Sequence, residues 1–161
     1  QPIYITDATG YDPIAIRADL ARQKAVNNIE WFLVDYLDLV RADGYDSYEK
    51  SAFISGQLHD IAKDLDLAGL IIQRMNKQAY QGASLQAVSG SSKINHDADQ
   101  IVLVEQDKDN KNIVTLKWEK LREGDPRRKI KMIMREGITE FQCIAFDEDI
   151  QAEPELVDYT V

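Results

Sequence analysis

The chain is poor in the residues that staple small folds. It has one cysteine, Cys143, and two histidines, His59 and His96. A lone thiol cannot close an internal disulfide, which fits a reducing compartment. Two histidines so far apart, with no cysteine pair, give no zinc-ligand spacing. No apolar stretch approaches the roughly 20 residues that a helix needs to cross a bilayer, and no N-terminal signal pattern is present. No G-x-x-x-x-G-K-[ST] occurs either, so this type of phosphate-cradling loop and its lysine are absent from the sequence. Surplus positive charge is also missing. A net charge of −9 argues against coating nucleic acid with the whole surface, since phosphate binding rests on lysine and arginine.

What is present describes an ordinary globular chain. Its 161 residues are 44% apolar and 29% charged, enough for one domain with a sizeable core. The acids gather at residues 35–66 and 147–158, while residues 117–135 (KWEKLREGDPRRKIKMIMR) form a local basic strip. Taken by itself, that strip is a solvated hairpin with alternating charges. The first residue is Gln1, and the next few already read as a strand, so the chain is expected to be a portion of something longer or a processed form.

The first half alternates strand and helix. Residues 2–6 (PIYIT) suggest a short strand. Asp12 followed by Pro13 opens a helix to about Val26, with the acid as N-cap and proline at the first helical position. Ile14, Ile16, Leu20 and Ala21 mark its apolar side. An apolar strand is expected at 29–35. A helix follows at 47–65, with Phe53, Ile54, Leu58, Ile61 and Leu65 at helical spacing, and then a second apolar strand at 68–72. Apolar strands alternating with helices predict a parallel sheet buried on both faces. Residues 76–96 are polar and read as loop. The runs IVLVEQ, IVTLKW, KIKMIM and FQCIAF, separated by turn-forming segments, predict antiparallel hairpins attached to the sheet's edge. Residues 147–161 read as an acidic, flexible tail on a domain at 1–146.

One stretch stands out. Residues 29–40 read IEWFLVDYLDLV, an apolar run that closes on Asp35, with a second acid at Asp38. In a parallel α/β sheet, ligands gather beyond the carboxyl ends of the strands. A carboxylate there is placed to hold Mg²⁺, which favours one or two carboxylates together with phosphates and water. The plainer alternative is that Asp35 caps or hydrogen-bonds a neighbouring loop.

The order VDYLDLV, then GSSKINHDADQIVLV, then KLREG resembles the C-terminal half of DnaB-type replicative helicases, hexameric RecA-like motors, from about Ile3 to Phe146. The resemblance implies a RecA-like α/β fold, a mostly parallel sheet flanked by helices, with antiparallel hairpins in the C-terminal half. It makes Asp35 the Walker B aspartate and metal-binding residue. The family's K-x-R-x-G element matches Lys120, Arg122 and Gly124. There the lysine and arginine reach a neighbouring subunit's ATP, and Arg122 would serve as an arginine finger. A cation supplied in trans ties phosphoryl transfer to the geometry of an oligomer.

Further site residues follow from the same resemblance, with departures. Segment 76–96 matches the region facing single-stranded DNA in the central channel, where Ser89, Gly90, Ser91 and Lys93 are the expected contacts. The family often has L-R-E-S-G-S where this chain has LQAVSGSS, so its usual arginine and glutamate are missing. The γ-phosphate sensor falls on Gln73 if the match is shifted by one residue, and on Arg74 if it is ungapped. Asp97 and Asp99 of the D-A-D element are expected to be structural or to support neighbouring site residues, not to ligate metal.

The segment carrying the family's phosphate loop and catalytic glutamate is absent from this sequence. The resemblance therefore implies the Walker B, DNA-loop and arginine-finger side of an ATP- and Mg²⁺-dependent helicase, not catalytic and without a bound cofactor on its own. It also implies a homo-hexameric ring, single-stranded DNA as partner, a possible replication loader or primase, and the cytoplasm of a bacterium or phage-infected host. Two alternatives remain open: a portion of another RecA-like ATPase of the RadA recombinase kind, or a non-catalytic RecA-fold assembly module.

Overall fold

A computed structural model of the chain describes residues 2–74, 91–124, 129–135 and 140–146. The chain divides into two units, Gln1–Ala98 and Asp99–Val161, which are taken in turn.

In the first unit, helix α1 spans Pro13–Asn27. Asp12 stays extended as N-cap, and its carboxylate accepts from the Ala15 N–H at 2.8 Å. Such a cap contributes about 1 kcal/mol by satisfying a donor the helix leaves open. Asn28 ends the helix in the left-handed conformation, with φ of 51°, and returns its N–H to the Lys24 carbonyl at 3.0 Å. Lys24 also donates to the backbone carbonyls of Leu65 and Asp66, fastening the end of α1 to the exit of the next helix. Only Ile16 and Leu20 of the predicted apolar side pack against the core, while Ile14 is 78% exposed. Residues 16 and 20 stack one turn apart, whereas residue 14 lies roughly 200° around the helix from residue 16.

Strand β1 spans Trp31–Asp35 and β2 spans Ala68–Ile72, and the two pair in parallel from Trp31 opposite Ala68 to Asp35 opposite Ile72. Between them lie a 3₁₀ turn at Leu37–Leu39 and helix α2 at Ser47–Asp64. Ser51, Ile54, Leu58 and Ile61 form the buried stripe of α2 and recur at three- and four-residue intervals. Against that stripe pack Phe32, Leu37, Val40 and Leu67. Gly69 admits the Phe32 ring: a Cβ there would lie 2.9 Å from Phe32 Cζ, too close for any larger residue.

Three expectations need correction here. Residues 2–8 form no strand, and Ile3 and Ile5 are 73% and 91% exposed. No described strand offers them a ladder, and apolar alternation alone does not hold an extended segment. The parallel sheet is not buried on both faces. Its Phe32 side is covered by α2, but Trp31, Leu33, Leu70 and Ile72, which share the opposite side, are all at least 41% exposed. Residues 91–97, read as loop, form helix α3, Ser91–Asp97.

The second unit is a four-stranded antiparallel sheet of β3 (Gln100–Gln106), β4 (Ile113–Leu121), β5 (Lys129–Met134) and β6 (Phe141–Phe146), in sequential order. The hairpins thus form as predicted, but they build a sheet of their own, with no ladder to β1 or β2 among the described residues. Each strand pairs with its sequence neighbour, which keeps the loops to be closed short. Leu103 and Ile113 are its buried apolar residues. The β3–β4 turn is organised by Asp107, whose side chain accepts from the N–H groups of Asn110 and Asp109 at 2.9 and 3.0 Å. Those two bonds hold its carboxyl below the ordinary value of 3.8.

Ile54→Ala is expected to cost about 2–5 kcal/mol, since it empties a fully enclosed position. Gly69→Ala is expected to cost about 1–3 kcal/mol by crowding Phe32. Urea denaturation followed by far-UV circular dichroism measures both.

Candidate functional site

The strand alternation decides what Asp35 can do. Phe32 and Val34 turn towards α2, which leaves Trp31, Leu33 and Asp35 on the other side. The Asp35 carboxylate is exposed and has no hydrogen-bond or ion-pair partner among the described residues. Among the described residues, then, no loop group is capped by Asp35. The peptide bond to Tyr36 is cis.

Beyond Asp35 the chain is pinned by Leu37, 2% exposed, and Val40, 5% exposed. That anchoring carries Asp38 back towards β2. Gln73, the first residue after β2, donates from Nε2 to Asp38 Oδ1 at 3.0 Å, and Lys50 Nζ donates to the Asp38 backbone carbonyl at 3.0 Å. The Gln73 Oε1 atom is buried and accepts no hydrogen bond among the described residues. The Arg74 guanidinium lies over the Tyr36 ring, 4.1 Å from its centroid, a cation–π contact. Asp35, Gln73 and Arg74, all chosen from sequence, thus gather at the carboxyl end of one strand pair. Asp38 as the group that holds Gln73 was missed, although its place three residues after Asp35 was the available signal.

Of the expected DNA contacts, Ser89 and Gly90 lie outside the described residues. Ser91 opens α3 and Lys93 sits within it. The helix is docked by Asp97, whose carboxylate is 8% exposed. Its Oδ2 accepts from Ser55 Oγ of α2 at 3.3 Å, its Oδ1 accepts from Lys93 Nζ at 3.2 Å, and His96 Nδ1 lies 3.5 Å from the same oxygen. A seven-residue helix is marginal alone, so this buried carboxylate and the packing of Ile94 on the core give it a reason to form. Asp97 thus clamps α3 to α2. No group of three metal-ligating side chains occurs among the described residues.

In the second unit, Lys120 lies on β4 opposite Ile101, and Arg122 follows the strand's last residue. Arg122 does not extend freely from a hairpin tip. Its N–H donates to the Asp99 carbonyl at 3.0 Å, and its Nη1 meets Asp99 Oδ1 at 2.5 Å. Gly124 has a φ of +129°, a conformation that side-chain-bearing residues rarely adopt, and so fixes how the chain leaves β4.

A family model described as the DnaB-like helicase C-terminal domain matches residues 1–143. The chain belongs to that family. Among curated proteins, the replicative DNA helicase DnaB of Treponema pallidum (strain Nichols) is 30% identical over 145 residues, covering 88% of this chain and 33% of that protein. Among solved structures, an ATPase domain superposes with a TM-score of 0.72 at 23% identity, covering 82% of this chain and 51% of that one. A DnaB-like replicative helicase, solved to show its interactions with primase, gives 0.73 at 25% identity, over 86% of this chain and 36% of that one. These neighbours support the mixed α/β, RecA-like fold of a DnaB C-terminal domain. The chain spans well under two thirds of each relative's length. No helix among the described residues is long and apolar enough to cross a membrane.

Asp97→Ala in this DnaB-family domain is expected to loosen α3 selectively. Amide hydrogen exchange at residues 92–97 should lose about 1–3 kcal/mol of protection, while exchange in β3 and β4 stays unchanged.

Proposed function

We propose that this chain is the Walker B, DNA-loop and arginine-finger side of a hexameric, ATP-dependent replicative DNA helicase, with residues 1–146 forming the partial motor domain and 147–161 an acidic tail. The observation that carries this reading is the Asp35 carboxylate. It lies at the carboxyl end of β1, lacks a protein partner among the described residues, and stands beside the residues that follow β2.

A hard oxygen donor with no competing protein contact fits Mg²⁺, which is held by few carboxylates and completed by water and phosphate oxygens. Asp35 would hold that ion beside ATP, where the metal offsets charge on the phosphates. Gln73, kept in place by Asp38, and Arg74, stacked on Tyr36, are the two groups available to sense the γ-phosphate. Sensing a phosphate oxygen takes a donor, so Gln73 would act through Nε2, which also bonds Asp38, and Arg74 through its guanidinium. Lys120 and Arg122 act on the nucleotide of a neighbouring copy, where their charge stabilises the transferring phosphoryl group. Ser89, Gly90, Ser91 and Lys93 contact single-stranded DNA through backbone and phosphate, independent of sequence. A loader or primase joins the assembled ring, not this domain alone.

The open side of the parallel sheet agrees with this reading. Trp31, Leu33, Leu70 and Ile72 are covered, in the whole protein, by the part of the motor domain that carries the phosphate loop. Without that part the chain does not turn over ATP. In a background with Trp118 and any tryptophan outside these 161 residues replaced by phenylalanine, Trp31 emission is expected to shift to shorter wavelength, and to resist acrylamide quenching, in the whole protein relative to this chain.

The activity test uses the whole helicase with single-stranded DNA. Arg122→Ala is expected to lower ATP turnover by about 10³-fold or more while rings still assemble, and mixed rings with wild type should show a defect that crosses the interface. Unchanged turnover would make the K-x-R-x-G match a charged turn and leave a RecA-like ATPase domain of another role as the better reading.

A further inference from the structure

The Arg122 contact with Asp99 follows from strand register. Gln100 pairs with Leu121 at the open end of the β3–β4 ladder, so the residue before one strand meets the residue after the other. The backbone bond from Arg122 N–H to the Asp99 carbonyl continues that ladder by one step, and the side chains then meet as carboxylate and guanidinium. Both side chains stay open to solvent, at 56% exposed for Arg122 and 64% for Asp99. An exposed ion pair of this kind stabilises a fold very little. Its main effect is on orientation.

We propose that Asp99 is a positioning residue for Arg122. The inference rests on the assignment of Arg122 to phosphoryl chemistry and adds the group that aims it. A guanidinium presents five donors along two edges. Asp99 engages Nη1, and among the described residues no contact to Nη2 or Nε competes with a phosphate oxygen of a neighbouring copy's nucleotide. A free arginine spreads its long side chain over many rotamers. Tethering one nitrogen narrows that spread before the neighbour's nucleotide arrives and holds the guanidinium where charge develops on the transferring phosphoryl group. Asp99 touches neither nucleotide nor metal in this scheme. Its effect passes through Arg122.

Steady-state ATP turnover by the whole helicase with single-stranded DNA tests this, with ring assembly checked by size-exclusion chromatography. Asp99→Ala is expected to lower kcat on the order of tenfold by misplacing the guanidinium, with KM for ATP unchanged. Asp99→Glu, which keeps the charge, should recover part of the loss. Asp99→Asn, close in size, should assemble normally and fall between the two. In an Arg122→Ala background, Asp99→Ala should have no further effect. A defect from Asp99→Ala that persists in that background would overturn the proposal, because it would not act through Arg122. Full activity of Asp99→Ala alongside a defective Arg122→Ala would overturn it while leaving the role of Arg122 intact. Full activity of Arg122→Ala itself would remove both.

Discussion

The parallel pairing of β1 with β2 is the constraint on which the first unit depends. Its register sets Phe32 over Gly69, where only a glycine leaves room for the ring. The same register sets Asp35 beside Ile72 and brings Gln73 within reach of Asp38. A slip of one residue would turn Phe32 away from α2 and Asp35 towards it, exchanging a buried ring for a buried charge. Burial of an unpaired carboxylate costs far more than the pairing gains, so the hydrophobic stripe of α2 and the position of the acid enforce one another.

Anchoring by neighbours recurs through the site. Leu37 and Val40 are driven into the core by their apolar surface, and Asp38 on the short turn between them is held by Gln73 and Lys50. Asp97 is a charge used for architecture: three polar neighbours satisfy it at the joint between α2 and α3. Asp35 differs from both, since nothing described in the protein satisfies it. Within one short chain, aspartates serve as helix cap, turn organiser, interhelical clamp and candidate metal ligand. What separates these roles is the set of donors that the fold brings to each carboxylate, not the residue type.

The second unit carries the complementary chemistry. Its strands follow one another as hairpins, and its cations stand at the end of β4. In the proposed motor, the acid that holds a metal and the cations that complete a neighbour's site lie on different units of the same chain. Such a division makes sense when turnover must depend on assembly, because neither half can complete the chemistry within its own copy.

Local rules made much of this legible from sequence alone. Asp12 and Pro13 announced a helix start because capping is a matter of neighbouring residues, and the spacing of Ile54, Leu58 and Ile61 announced a buried face because a helix repeats every 3.6 residues. The hairpin runs, the carboxylate ending a strand, and the family to which VDYLDLV, D-A-D and K-x-R-x-G point were likewise readable. What sequence could not decide depended on partners far along the chain. Ile3 and Ile5 alternate like a strand but meet no ladder. The two-stranded sheet keeps an open side because coverage depends on which elements arrive there, not on how apolar its strands are. Residues 91–97 look like loop by composition, yet a buried carboxylate bonded to Ser55, 42 residues away, accounts for their helical form. The sequence by itself determined the local elements and the kinds of chemistry available. The tertiary structure alone decided that the strand-ending Asp35 has no partner among the described residues and that Arg122 is already held, because those outcomes depend on burial and register between distant segments.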